Sequence, residues 1–405
     1  MLPLDKPGRY DTAFPIVVGH SAACLDFDFN PFNDNIVASA SEDQTVKIWD
    51  IPAGGLTENL TTPVVDLHGH GKKVTFLRFH PTANNILASA SADLTVKLWD
   101  IEKGNMVSDL AGVHTDLIQD VVWDYYGSNY ATSSKDKSVR ICDARSAEVA
   151  SAIQTAHEGS KCVKLSYLGT LDKLVSVGFS KQSSRQFKIW DPRDLSKELK
   201  KIDIDQASGA IMPFFDPDTL LLYLCGKGDG NIRYYEMTNE TPYCHDINSY
   251  RSSVSSKGVA MIPKRNLDIM KCETARILKL TTNSVEPLSF YVPRKSEAFQ
   301  DDIFPDTFSG VPSHSADDWL NGSDQPPALK TLNPSGVSSG SQAPSPPRPV
   351  VRTSSNPTVQ ADLEKKNAEL QAKSDELEKK SAELEAANAR IKALEEKLNA
   401  MGVFM

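Results

Sequence analysis

The chain has 405 residues, 44 basic and 53 acidic side chains and a formal net charge of −9. Its 40% hydrophobic and 24% charged content is that of a globular protein, and a length prior of about 150 residues per domain gives two or three units. The acidic balance argues against a general nucleic-acid binder. The longest apolar run, Leu220 to Cys225, falls far short of the ~20 residues that cross a bilayer, so no transmembrane segment is expected.

The first residues, Met1 to Tyr10, lack a charged-then-apolar leader pattern. From there to about residue 321, short β-rich runs alternate with turns and repeat themselves. VASASEDQTVKIWDI (37–51) and LASASADLTVKLWDI (87–101) are identical at eleven of fifteen positions. Looser copies end in ATSSKDKSVRICDAR (131–145), LVSVGFSKQSSRQFKIWDPRD (174–194) and LYLCGKGDGNIRYYE (222–236), with a degenerate sixth within about 250–292. An upstream His, a hairpin Asp and a Trp-Asp pair form the signature of a WD-repeat propeller blade.

In each blade the turn Asp can accept a hydrogen bond from the His, and a strand Ser or Thr can extend the network to the Trp. Such a buried network must be fully satisfied, and then it fixes the blade. The expected members are His20, Asp43, Trp49, His70, Asp93, Trp99, His114, Asp136, Trp190 and Asp229, together with His157. Their recurrence in phase makes these histidines structural rather than catalytic. Ser184 takes the Asp position in the fourth copy, which predicts a longer and looser hairpin there.

No other cluster asks for catalysis. Gly226-Lys-Gly-Asp-Gly230 lacks the GK[ST] ending of a phosphate loop and reads as a tight turn. The six cysteines form no CxxC pair, which argues against a zinc site and against a disulfide framework and suggests a reduced, cytoplasmic protein. No metal and no cofactor is expected, and the protein is not expected to be an enzyme. Basic residues gather at Lys135, Lys137 and Arg140, at Lys227 and Arg233, and at Lys264 and Arg265. These could form a positive patch for an acidic partner on an otherwise acidic domain.

Residues 322–358 hold 19 Gly, Pro or Ser among 37 and no aromatic, the composition of a disordered linker. PSPPRP (344–349) has PxxP spacing, which more often marks a spacer than an SH3 ligand. Residues 359–401, free of Pro and Gly, read as a long helix within a coiled-coil domain at 359–405. Leu363, Leu370, Leu377, Leu384, Ile391 and Leu398 recur every seven residues, the period of a coiled coil. Only the last two heptads carry a complete apolar seam, through Ile391, Leu394, Leu398 and Met401, so assembly should nucleate there.

The order propeller, linker, coiled coil resembles the coronins. The wording agrees in GHSAACLDF (19–27), NPFNDN (30–35), IPAGGL (51–56), SGAIMPFFD (208–216) and SFYVPRKSEAFQDDIFPDT (289–307), with ADDWLNG (316–322) closing the likeness. The resemblance implies an all-β WD-repeat β-propeller of the seven-bladed type at 1–292, with about six blades present, because the family's first-blade segment has no counterpart ahead of Pro15. It further implies an extension at 293–321 that packs back on the propeller, the linker at 322–358 and the coiled coil at 359–405. Arg390-Ile-Lys-Ala-Leu-Glu395 resembles the coronin trimer motif, in which Arg390 would pair with Glu395 of a neighbouring helix. A homo-oligomer follows, a trimer in preference to a dimer. By the same resemblance the propeller binds F-actin, and the coiled coil engages the actin-related protein 2/3 complex at the actin-rich cell cortex. The competing reading is a WD-repeat scaffold for trafficking or signalling complexes.

Overall fold

The structure is a computed structural model that describes residues 7–9, 13–296 and 298–336. The expected coiled coil and most of the expected linker lie outside these residues. The described chain forms six four-stranded antiparallel sheets, each laid out from an inner to an outer strand. The first blade is Cys24–Phe29, Ile36–Ser41, Val46–Asp50 and Val65–Leu67; the second is Val74–Phe79, Ile86–Ser91, Val96–Asp100 and Asn105–Leu110. The third is Ile118–Trp123, Asn129–Ser134, Val139–Asp143 and Glu148–Ile153; the fourth is Lys164–Tyr167, Leu174–Phe179, Arg185–Trp190 and Lys200–Asp205. The fifth comprises Ile211–Asp216, Leu221–Gly226, Ile232–Met237 and Cys244–Tyr250.

The sixth blade takes three strands from one stretch, Gly258–Met261, Glu273–Leu280 and Ser284–Tyr291. Its outermost strand is Gly8–Arg9, paired to Val285 and Ser284. The two ends of the repeat region are thus tied into one sheet, a pairing between segments too far apart for any local pattern to report.

The repeat sequence explains how the blades stack. The second strand of a blade carries small residues, Ala38 and Ala40 in the first, and these receive Val74, Leu77 and Phe79 from the inner strand of the second blade in one buried cluster. Small opposite large lets neighbouring sheets interdigitate at the density of a protein interior. Among the described residues no such neighbour covers the other face of the first blade. Phe27 and Phe29, in register with Leu77 and Phe79, are 62% and 44% exposed, whereas Leu77 is 0% and Phe79 8% exposed.

The segment after the propeller crosses the ends of several blades. Thr307–Phe308 pairs with Leu329–Lys330, and Phe308 packs on Phe32 of the first blade. His314 bridges to Ala83 of the second. Ser315 caps the short helix Ala316–Leu320 in a capping box with Asp318, and that helix buries Trp319 completely between the second and third blades. Arg145 seals the helix end: it donates to Trp319 O (2.6 Å), Ser323 O (2.8 Å) and Asp324 Oδ1 (2.6 Å), and its guanidinium lies 4.9 Å from the Trp319 ring centroid.

Two expectations are corrected here. The linker does not begin at 322. Ser323 and Asp324 are gripped by Arg145, Leu329–Lys330 forms a strand, and Asn333 donates to Asp301. Composition alone missed this because the partners are supplied by residues distant in sequence. The fourth blade's hairpin is also not loose. Ser180 and Ser184 close it by a backbone bond of 2.8 Å, with Ser183 in the left-handed region at φ 63°.

Candidate functional site: the lysine-bearing end of the propeller

In an antiparallel blade, alternate connections lie at the same end. The turn between second and third strands therefore shares an end with the connection that enters the next inner strand. At this end the first three blades carry the turns Asp43-Gln44, Asp93-Leu94 and Asp136-Lys137, with the second residue of each at φ 71° to 73°. The Asp holds the turn. Asp43 Oδ1 accepts from the Thr45 N–H at 3.0 Å, and Asp93 and Asp136 do the same for Thr95 (3.0 Å) and Ser138 (2.9 Å).

The other carboxylate oxygen turns inward. Asp43 Oδ2 lies 2.9 Å from His20 Nδ1, His20 Nε2 lies 2.7 Å from Ser39 Oγ, and Trp49 Nε1 donates to that same oxygen at 2.8 Å. The second blade repeats the network through Asp93, His70, Ser89 and Trp99 at 3.0, 2.7 and 2.8 Å. Burial alone would raise these carboxyls. The Thr45 bonds and His20 outweigh it and hold Asp43 well below the usual range, and the equivalent groups lower Asp93 to about 2.

The later blades depart from the expected pattern in instructive ways. In the third, Arg140 Nη1 stands between His114 Nδ1 (3.0 Å) and Asp136 Oδ2 (3.1 Å). In the fourth, Gln186 takes the place of the missing Asp and donates to His157 Nδ1 at 3.0 Å, while Trp190 and His157 still share Ser176. Asp229 of the fifth blade has no histidine. It accepts instead from Arg185 of the fourth, at 2.7 Å. Arg185 is 1% exposed and also forks onto Asp205 with two bonds of 2.6 Å.

With its turn aspartates drawn inward, this end shows lysines. Lys72, Lys73, Lys135, Lys137, Lys181 and Lys227 are all exposed on it, Lys73 in an ion pair with the exposed Glu42 at 3.4 Å. Of the basic residues singled out from sequence, Lys135, Lys137 and Lys227 belong to this end. Arg140 is absorbed by its histidine network, and Arg233 pairs with Asp205 at 2.7 Å. Lys264 and Arg265 sit at the opposite end: Lys264 is bound by Asp216 and the Thr274 carbonyl, and Arg265 by Asp34. Lys72, Lys73 and Lys181 escaped sequence reading because neighbours in space are here set by blade phase, not by spacing along the chain.

Among the described residues no group of three or more His, Cys, Asp or Glu is arranged to hold a metal ion, and no helix is long and apolar enough to cross a membrane. Burial holds His80 and His157 at about 3 and His114 at about 4, so these histidines are poor proton carriers near neutrality.

The fold and its polar networks define a WD-repeat β-propeller protein. Residues 14–50 and 61–100 match the family described as WD domain, G-beta repeat, and residues 285–327 match a further type of WD40 repeat. The chain is 43% identical over 366 residues to Coronin-A of Dictyostelium discoideum, covering 90% of this chain and 81% of that protein. The crystal structure of the WD40 domain from Toxoplasma gondii coronin superposes with a TM-score of 0.74 at 34% identity, over 78% of this chain and 82% of that one. A chain in the crystal structure of the mitotic checkpoint complex shares the fold alone, with a TM-score of 0.54 at 14% identity over 68% of this chain and 77% of that one. The chain belongs to the coronin family.

Proposed function

We propose that this coronin binds actin filaments through the lysine-bearing end of its propeller. The observation that carries the reading is the charge at that end: its turn aspartates are consumed by the blade networks, while Lys72, Lys135, Lys137, Lys181 and Lys227 face solvent and Lys73 pairs with Glu42. A positive face on an acidic protein attracts an acidic polymer and orients the encounter. In this reading the C-terminal heptads assemble several propellers, as a trimer or a dimer, and engage the actin-related protein 2/3 complex at the actin-rich cell cortex. A weak single-site contact then gains avidity, because the second propeller binds at high effective concentration.

Co-sedimentation with actin filaments tests this. The full chain is expected to pellet about ten-fold or more tightly than a chain ending at residue 358, the scale of an avidity gain. Equal pelleting of the two would remove the tail from the mechanism, and no pelleting of either would favour a scaffold for other partners.

A further inference from the structure

The connection between the fifth and sixth blades reads Arg251-Ser-Ser-Val-Ser-Ser-Lys257 and lies at the lysine-bearing end. Arg251, Ser253, Val254, Ser255 and Lys257 are exposed. Ser252 is less so. Its Oγ accepts from the Val254 N–H at 3.1 Å and from the Lys279 ammonium at 3.0 Å. Lys279, on the strand Glu273–Leu280, is 1% exposed.

Other lysines buried in the propeller have a carboxylate. Lys47 pairs with Asp66, Lys97 with Asp109 at 2.6 Å, and Lys264 with Asp216. Lys279 makes no ion pair among the described residues; its hydrogen-bond partner is the neutral hydroxyl of Ser252. Glu286 stands opposite Lys279 across the sheet but outside ion-pair distance, so the buried ammonium hydrogen-bonds a neutral acceptor and is only partly compensated. A phosphate on that Oγ would compensate it, and its oxygens would keep both acceptor roles that the hydroxyl now plays.

We propose that Ser252 is a phosphorylation site and that Lys279 is the counter-charge built for it. A serine kinase that accepts a basic residue beside the acceptor, here Arg251, carries out the step with ATP. The Oγ–P bond forms, the bond from the γ-phosphorus to its bridging oxygen breaks, ADP leaves, and the hydroxyl proton passes to the kinase's base. The loop is already fastened to the turn that bears Lys227: Ser255 Oγ donates to Gly228 O at 2.9 Å, and the Gly228 N–H donates to Ser256 O at 2.8 Å. A phosphate adds roughly −1.5 to −2 charges at this point. On the reading given under Proposed function, it therefore weakens the hold of this end on an acidic filament.

The test uses the full chain with phosphoserine installed at position 252, with Lys279 intact and as Lys279→Met. The expected result is a Tm increase of about 2–4 °C on phosphorylation, lost in Lys279→Met, and several-fold weaker filament pelleting. No increase, or the same increase without Lys279, overturns the assignment. The Tm pattern with unchanged pelleting keeps the site and instead counts against filament binding by this end. Because Lys279→Met could itself disturb the sheet, a second measurement maps phosphate on the unaltered chain after treatment with a basic-directed serine kinase. Incorporation at Ser252 supports the proposal, and incorporation confined to Ser253 or Ser255 overturns it.

Discussion

Arg185 ties the fourth blade to the fifth. Gln186 already fills the place of the fourth blade's missing turn Asp, but Asp229 of the fifth has no histidine partner. Arg185 reaches from the fourth blade to Asp229 of the fifth and forks onto Asp205. Burial opposes its charge, but the two carboxylates prevail and raise its proton affinity further. Without Arg185, Asp229 loses its cation while Asp205 keeps Arg233, and both carboxylates retain some solvent. Arg185→Ala is therefore expected to cost about 3 kcal/mol in urea unfolding, the low end for a broken buried pair. A loss below about 1 kcal/mol would mean that the two blades are joined by their apolar contacts alone.

The buried histidines make a further residue-scale prediction, about pH. Burial first, and Lys188 next, holds His157 at about 3 against an ordinary value of 6.5. Between those values the unfolded chain binds more protons, so stability present above pH 6.5 is lost as pH falls. Asp28, raised by burial to about 6 from 3.8, acts oppositely: between those values the folded chain binds more protons, and falling pH stabilises it. His157→Gln should flatten the decline in Tm between about pH 6.5 and 4.5, and Asp28→Asn should steepen it. Parallel curves for the wild type and both variants would show that these groups are not desolvated as described.

At the scale of the element, the inner strands of the first and second blades pose the clearest contrast. Phe27 and Leu77 occupy the same register position, yet Phe27 is 62% exposed and Leu77 fully buried. Leu77→Ala is expected to cost about 2–5 kcal/mol, as core truncations do. Phe27→Ser should fall within about 0.5 kcal/mol of the parent, as surface substitutions do. Comparable losses from both would place a neighbour against Phe27 in solution.

This contrast also shows what was legible in the sequence. Alternation, the eleven-of-fifteen repeat and the Asp-to-Trp spacing specify five blades, because each is a local pattern set by strand pleat and turn chemistry. Two features were not legible. Gly8–Arg9 contributes the outer strand of the sixth blade through pairings with Ser284 and Val285, and two residues carry no pattern. The ordering of residues 322–333 depends on Arg145, Thr307 and Asp301, and low-complexity composition cannot announce partners of that kind.

For the whole molecule, the polarity of the propeller follows from its topology. Alternating connections send the network aspartates and Lys72, Lys135, Lys137, Lys181 and Lys227 to one end; they send Lys264 and Arg265, each engaged by a carboxylate, to the other, where Lys103, Lys197 and Lys271 are also exposed. Sequence alone listed basic residues from both ends as one candidate set. Blade phase separates them, since a charge acts on a partner only with neighbours on the same face. Family membership defines the protein class, and the geometry shows which basic residues of this end are exposed.

The most direct measurement is co-sedimentation of the full chain with actin filaments across a salt series, comparing the wild type with Lys135→Glu/Lys137→Glu/Lys227→Glu. The account predicts that wild-type binding weakens steeply with salt. It also predicts that the variant binds at least ten-fold less at low salt, with a shallower salt dependence. Unchanged affinity and an unchanged salt slope in a variant that keeps the wild-type Tm would contradict filament binding by the lysine-bearing end.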